Sequence, residues 1–211
     1  MSRPSTRAAV ALGASLGPRA ATLALAVRLL DLTPGLRVLG RSRTWRTPPA
    51  GGIARGWFLN AVALLESALD PESLLARCKA IEVRLGRRPG PRWGDRVLDL
   101  DLVWMEGVLL EAPGLRVPHP RVAERGFVVL PLEEVLPGLA DPRSGRPYVE
   151  AYRALPAVAR APRPVVVGVL GGAPYFLRPA FGAFGPARGA CLQAQAQLTR
   201  PLNPSRSTRR R

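Results

Sequence analysis

Apolar residues along the first 140 positions recur with two different periods, and those periods divide the chain into elements. Ala8 to Leu12 is a short apolar run closed by a Gly13-to-Gly17 turn, which predicts a first strand. Ala20 to Leu32 then fits a helix that ends before Pro34-Gly35. Val38 to Trp45 and Phe58 to Leu65 predict a second and a third strand. Between them, Thr47-Pro48-Pro49-Ala50-Gly51-Gly52 is too rich in Pro and Gly for regular structure and long enough to shape a pocket rim. The clearest helical pattern is Pro71 to Leu85, where Leu74, Leu75, Cys78, Ile81 and Leu85 recur at helical spacing. Asp70 suits its N-cap, Pro71 its first position and Gly86 the residue after its end. Glu82 lies beside the apolar stripe, facing either water or a site.

An arginine- and glycine-rich loop, Arg87 to Gly94, leads into a strand in which Asp99 and Asp101 alternate with Leu98, Leu100 and Leu102. Strand side chains alternate faces, so both acids project from one side while the leucines enter the core. Val108 to Leu110 is expected to add a hairpin partner, and Pro118-His119-Pro120-Arg121 a turn, because each proline biases its predecessor away from helix. Gly126 to Leu136 predicts a last helix, stopped by Pro137-Gly138. The order strand, helix, strand, strand, helix, strand is the split βαβ arrangement. It predicts an α+β fold, a ferredoxin-like antiparallel sheet flanked by helices on one face. The domain is expected to span residues 1–154. From Leu155 prolines recur and acids vanish, so residues 155–211 are expected to form a disordered basic tail in which only Val165-Val166-Val167 and Tyr175-Phe176-Leu177 could dock.

Charge changes this picture little. The 211-residue chain carries a formal +16, but no Asp or Glu follows Glu150 and ten arginines lie between Arg153 and Arg211. The first 150 residues hold 21 basic against 15 acidic residues, a net +6, so the extreme basicity belongs to the tail. Lys79 is the only lysine and Ala80 follows it, which excludes a Walker A loop. Cys78 and Cys191 are far apart, which argues against a disulfide scaffold and for a reducing cytoplasm. A secretory signal is not expected at the start, where glycines soon break the apolar run. No stretch reads as a membrane span, since Pro174, Arg178 and Pro179 interrupt the nearest candidate.

The candidate chemistry centres on Asp99 and Asp101. Hard divalent cations take oxygen ligands, and magnesium is commonly held by one or two carboxylates plus substrate phosphates. Arg92 and Arg96 flank the pair. The run Arg92-Trp93-Gly94-Asp95-Arg96-Val97-Leu98-Asp99-Leu100-Asp101-Leu102 closely resembles the signature of the 6-hydroxymethyl-7,8-dihydropterin pyrophosphokinase family. Gly13 to Gly17, Arg46-Thr47-Pro48-Pro49, Phe58-Leu59-Asn60, and Val117-Pro118-His119-Pro120-Arg121 leading to Arg125-Gly126-Phe127 agree with it in order and spacing.

The resemblance implies transfer of pyrophosphate from ATP, as co-substrate, to a pterin alcohol in folate biosynthesis. It implies two magnesium ions on Asp99 and Asp101, with Arg87, Arg96 and Arg125 at the phosphates and His119 as a phosphate-binding histidine. Phe58 and Phe127 match the positions that sandwich the pterin; Asn60, Thr47 and Pro48 match those at its edge and rim. Leu75, Glu82 and Trp93 match positions near the nucleotide and the loop Arg87 to Trp93, which would close over ATP. Ser15 stands where the family usually has Asn. With ATP and hydroxymethyldihydropterin as partners, a monomeric cytoplasmic enzyme is expected, with neither membrane nor nucleic-acid partner. The alternative is a nucleic-acid-binding protein using the basic tail on a ferredoxin-like sheet. Against it, the strands lack the aromatic-rich RNA-binding signature.

Overall fold

A computed structural model describes residues 4–48, 56–90, 94–157, 160 and 165–168. All lie in one compact unit, Met1–Arg178, which contains the expected domain and the first part of the expected tail.

The sheet grows outward from one strand, β4 (Phe58–Ser67), whose residues Ala61 to Leu65 are buried on both faces. A strand buried on both sides must be covered from both, and its apolar run reads accordingly. β1 (Thr6–Ala14) pairs with it from Thr6↔Ser67 to Ala14↔Leu59, and β5 (Asp99–Met105) pairs with the far edge of β1. Along the other edge of β4 lie β2 (Leu36–Arg41) and then β3 (Thr44–Thr47). β8 (Val165–Gly168) adds one more strand beside β3. All these pairings are antiparallel. With α1 (Arg19–Asp31) after β1 and α2 (Pro71–Arg84) between β4 and β5, the connectivity is the predicted ferredoxin-like one.

Helices cover both faces of this sheet, a correction to the expectation of one. Ala8, Val10, Leu12, Ala61 and Ala63 pack with Leu23, Ala26 and Leu30 of α1 and with Leu74, Cys78 and Ile81 of α2. On the other face, Ala9, Val62, Leu64 and Val103 meet Val128, Val129 and Leu132 of α3 (Gly126–Val135) and Tyr148, Val149 and Tyr152 of α4 (Tyr148–Ala154). The cause is in the strands, which are apolar at successive positions, so the second face also has to leave water. α4 has no counterpart among the predicted elements. At seven residues it is too short to be stable alone and is held by packing of its two tyrosines.

Two smaller corrections have local causes. The expected strand Val38 to Trp45 divides at Ser42, whose N–H donates to the Val62 carbonyl while its hydroxyl accepts from the Val62 N–H, so a side chain replaces one rung of the ladder. The hairpin joins β6 (Leu110–Ala112) to β7 (Leu115–Val117) across Gly114, at φ +80°, and forms its own two-stranded sheet. Val108 instead donates to the Met105 carbonyl in a turn. α2 begins and ends as its sequence predicts: the Asp70 side chain accepts from the Ser73 N–H at 2.7 Å, and Gly86 follows at φ +94°. The Val117–Pro118 peptide bond is cis. Of the expected tail, β8 lies within the described residues, while Tyr175-Phe176-Leu177 and most of 161–211 lie outside them.

Candidate active site

Strand register builds the floor of the site. Gly13 is paired with Asp99 on one side and Asn60 on the other, and Ala11 with Asp101 and Val62. Residues paired across strands share a face, so Asp99, Gly13 and Asn60 form one row and Asp101, Ala11 and Val62 the next. The small central residues keep that floor low; a side chain at Gly13 would begin 3.4 Å from Asn60 Oδ1. α3 covers the same face farther along, and a cavity of about 910 Å³ opens beyond it, a size suited to small-molecule ligands. Its wall brings together Thr47, Pro48, Phe58, Asn60, Arg87, Arg96, Asp99, Asp101, His119, Arg125 and Phe127, residues from five separate segments of the sequence.

One end is ionic. Asp99 Oδ1 accepts from Arg87, and Asp99 Oδ2 accepts from Arg96 Nη1 at 2.9 Å. Burial alone would raise the Asp99 pKa, but Arg96, Arg87 and Lys79 outweigh it and hold the carboxyl below the usual carboxylate range. Arg87 is in turn held above its ordinary value: burial works against its charge, and Asp99 and Glu82 overcome that. Asp101 has a looser environment, with Lys79 Nζ 3.7 Å away. Arg96 is fixed from its backbone as well, since Ser15 Oγ accepts from the Arg96 N–H at 2.9 Å and the Ser15 N–H donates to the Arg96 carbonyl at 2.9 Å. Ser15 thus ties the end of β1 to the segment that carries the arginine.

His119 sits across from these groups. Burial, then the charge of Arg125, lowers its pKa, so its ring is neutral at pH 7. Its Nδ1 accepts from the Arg121 N–H at 3.1 Å, which leaves the ring proton on Nε2. Burial also lowers the pKa of Arg125, with Arg121 adding to the effect. The other end of the cavity is aromatic and amide-bearing. Asn60 Nδ2 donates to Thr47 Oγ1 at 2.8 Å, and both side chains are buried. That bond fixes the Asn60 amide at the Thr47 side of the floor. Phe127 follows Arg125 at the start of α3, with the guanidinium carbon 5.9 Å from its ring centre.

Two expected residues stand apart from the wall. Leu75 packs against the core from α2. Glu82 lies beneath the floor, its side chain 3% exposed, paired with Lys79 at 2.8 Å and Arg87 at 2.7 Å and accepting from the Leu100 N–H at 2.6 Å. It therefore positions α2 and β5 together from behind the acids. Trp93, with most of the rim and the tip of the arginine loop, lies outside the described residues. Lys79, Arg121, Glu124, Leu155 and Arg160 also line the cavity and were absent from the sequence-derived set. For Lys79 a signal existed: three residues before Glu82, it shares that residue's helical face. For Leu155 and Arg160 there was none, because only the path of the chain after α4 brings them back.

Among the described residues, no group of three or more His, Cys, Asp or Glu side chains could hold a metal ion by itself. The donor set does fit magnesium. Asp99 and Asp101 offer hard oxygen ligands on one strand face, before a cavity in which phosphate oxygens would complete the shell.

Comparison with known proteins agrees with this geometry. Residues 9–137 match the family described as 7,8-dihydro-6-hydroxymethylpterin-pyrophosphokinase. A 2-amino-4-hydroxy-6-hydroxymethyldihydropteridine pyrophosphokinase of Methylorubrum extorquens is 46% identical over 134 residues, which cover 64% of this chain and 85% of that protein. The protein of the same name from Pseudomonas aeruginosa is 36% identical over 150 residues, 71% of this chain and 92% of its own length. Among solved structures, wild-type Plasmodium falciparum HPPK-DHPS superposes with a TM-score of 0.53 at 13% identity, which shows a shared fold. The match covers 71% of this chain and 41% of that longer one.

Proposed function

The chain belongs to the 7,8-dihydro-6-hydroxymethylpterin-pyrophosphokinase family, and from that premise we propose how its residues divide the work of the reaction. The protein is an ATP-dependent diphosphotransferase of folate biosynthesis. It transfers pyrophosphate from ATP to the hydroxymethyl group of 6-hydroxymethyl-7,8-dihydropterin and releases AMP. The observation that carries the division of roles is the mixed lining of the cavity, which holds paired carboxylates and cations together with two phenylalanines and an amide anchored by Thr47.

The pterin belongs with the phenylalanines and the amide. Phe58 and Phe127 offer ring faces to a flat heteroaromatic, and Asn60, held by Thr47, presents amide groups to its edge. Pro48 and Thr47 form the rim. The triphosphate belongs over Asp99 and Asp101. Magnesium held there, two ions in this reading, would neutralise charge on the phosphates and align attacking and leaving oxygens. The hydroxymethyl oxygen attacks the β-phosphorus; the bond from that phosphorus to the oxygen it shares with the α-phosphate breaks, and AMP leaves with that oxygen. Arg87, Arg96 and Arg125 stabilise the charge spread over the transferred group, where phosphoryl transfer most needs help. His119 Nε2–H can donate to a phosphate oxygen without adding charge. Trp93, Leu75 and Glu82 remain assigned to the nucleotide side, with Glu82 acting through Arg87 and the floor.

The same reading includes a cytoplasmic monomer. No helix of the described residues is long and apolar enough to cross a membrane. A nucleic-acid-binding role receives no support from the site, since its cations converge on one cavity and most pair there with acids. A coupled assay tests the function: AMP should form from ATP in the presence of magnesium and 6-hydroxymethyl-7,8-dihydropterin, and not without the pterin. No pterin-dependent AMP from the purified chain would overturn it.

A further inference from the structure

Six cationic side chains line the cavity, Lys79, Arg87, Arg96, Arg121, Arg125 and Arg160. Four are paired with carboxylates: Arg87 and Arg96 with Asp99, Lys79 with Glu82, and Arg121 with Glu124. Among the described residues, Arg125 and Arg160 form no such ion pair. Arg125 falls inside the stretch that the family model matches, whereas Arg160 lies well beyond its end at residue 137.

The chain after α4 is folded back so that Arg160 reaches the cavity. Its N–H donates to the Pro156 and Ala157 carbonyls, each at 3.2 Å, which closes a turn. Its carbonyl accepts from the Tyr152 hydroxyl at 3.3 Å. Tyr152 in turn lies against Gly126, the residue between Arg125 and Phe127; only a glycine leaves room for that ring. Arg160 is therefore anchored through Tyr152 to the start of α3, where Gly126 follows Arg125. Its Nε is shut off from solvent and, among the described residues, meets no acceptor. A donor withdrawn from water with no acceptor is unfavourable. A ligand that brings acceptors and negative charge to the cavity face of the guanidinium offsets that cost. The neutral pterin has acceptors but no counter-charge, whereas a polyphosphate has both.

Resting on the pyrophosphokinase reading, we propose that Arg160 is a further phosphate-binding residue, which joins Arg125 in gripping the ATP diphosphate that is transferred. The test uses the full chain and its Arg160→Ala and Arg160→Lys variants. Each is titrated calorimetrically with magnesium and α,β-methylene-ATP, an analogue that cannot be cleaved between those phosphates. Losing a charge-assisted bond of this kind is expected to weaken analogue binding in Arg160→Ala roughly tenfold to a hundredfold. The KM for ATP should rise with it, while the KM for the pterin and the thermal midpoint stay at wild-type values. Arg160→Lys should recover part of the loss, since it keeps the charge but not the Nε–H. Unchanged analogue affinity in Arg160→Ala would overturn the proposal. So would a loss confined to the pterin, or a fall in midpoint accompanied by equal weakening of both substrates, which marks a merely structural residue. Wild-type turnover separates the two levels: without it the pyrophosphokinase reading fails, whereas normal wild-type turnover with an unaffected Arg160→Ala variant sinks only this inference.

Discussion

Asp99 and Asp101 are two positions apart on one strand face, yet the residues around them differ. Asp99 bonds two arginines, one through each oxygen, whereas the ion pair of Asp101 among the described residues is with Lys79, at 3.7 Å. The sequence made the two acids equivalent; tertiary neighbours make them distinct. Both Asp99→Ala and Asp101→Ala are expected to lower AMP formation by about a thousandfold or more, on the order of 4 kcal/mol in the barrier. Stability should separate them. Asp101→Ala should stay within about 0.5 kcal/mol of wild type in chemical denaturation. Asp99→Ala removes the carboxylate that two partly buried guanidinium groups share, leaving Arg87 with Glu82 alone and Arg96 without its acid, and should lose about 1–3 kcal/mol. Wild-type turnover in either variant would contradict the placement of ATP over this pair. From spacing, Glu82 was legible as a residue beside an apolar stripe, and from the resemblance as one near the nucleotide, because helical spacing fixes a face but not what that face meets. Its bonds to Lys79, Arg87 and the Leu100 N–H exist once α2 lies against β5.

At the scale of elements, legibility followed local signals. α2 was readable to within a residue because its signals are all local: an Asp cap, a proline at the first position, a repeating apolar stripe and a closing glycine. α4 was missed because its seven residues carry no such set and owe their shape to Tyr148, Val149 and Tyr152 packing under α3. This contrast can be measured. Asp70→Ala removes the cap on the Ser73 N–H, far from the cavity, and should cost about 1 kcal/mol while leaving turnover unchanged. Gly126→Ala acts where two elements touch: its methyl group would meet Tyr152 Cζ at 2.7 Å. The overlap should cost about 1–3 kcal/mol, and it should also raise the KM for ATP, since Tyr152 anchors Arg160. Unchanged substrate kinetics in Gly126→Ala would break the link between α4 and the cavity.

For the whole molecule, two described features lie beyond the boundary expected from composition at residue 154. Arg160 lines the cavity, and β8 extends the sheet beside β3. A chain ending at residue 168 keeps all described residues and is expected to retain wild-type turnover. One ending at residue 154 should lose stability by about 1–3 kcal/mol and bind ATP more weakly; equal behaviour of the two would return the boundary to 154. What the sequence determined by itself was whatever depends on near neighbours: the strand and helix periods, the caps of α2, the shared face of Asp99 and Asp101, and motifs whose order names the chemistry. The tertiary structure alone decided which distant residues meet. Register set Asp99, Gly13 and Asn60 in one row, the second sheet face drew α3 and α4 over it, and the turn after α4 returned Arg160 to the cavity wall. Those contacts depend on burial and pairing summed over many elements, and no local spacing encodes that sum.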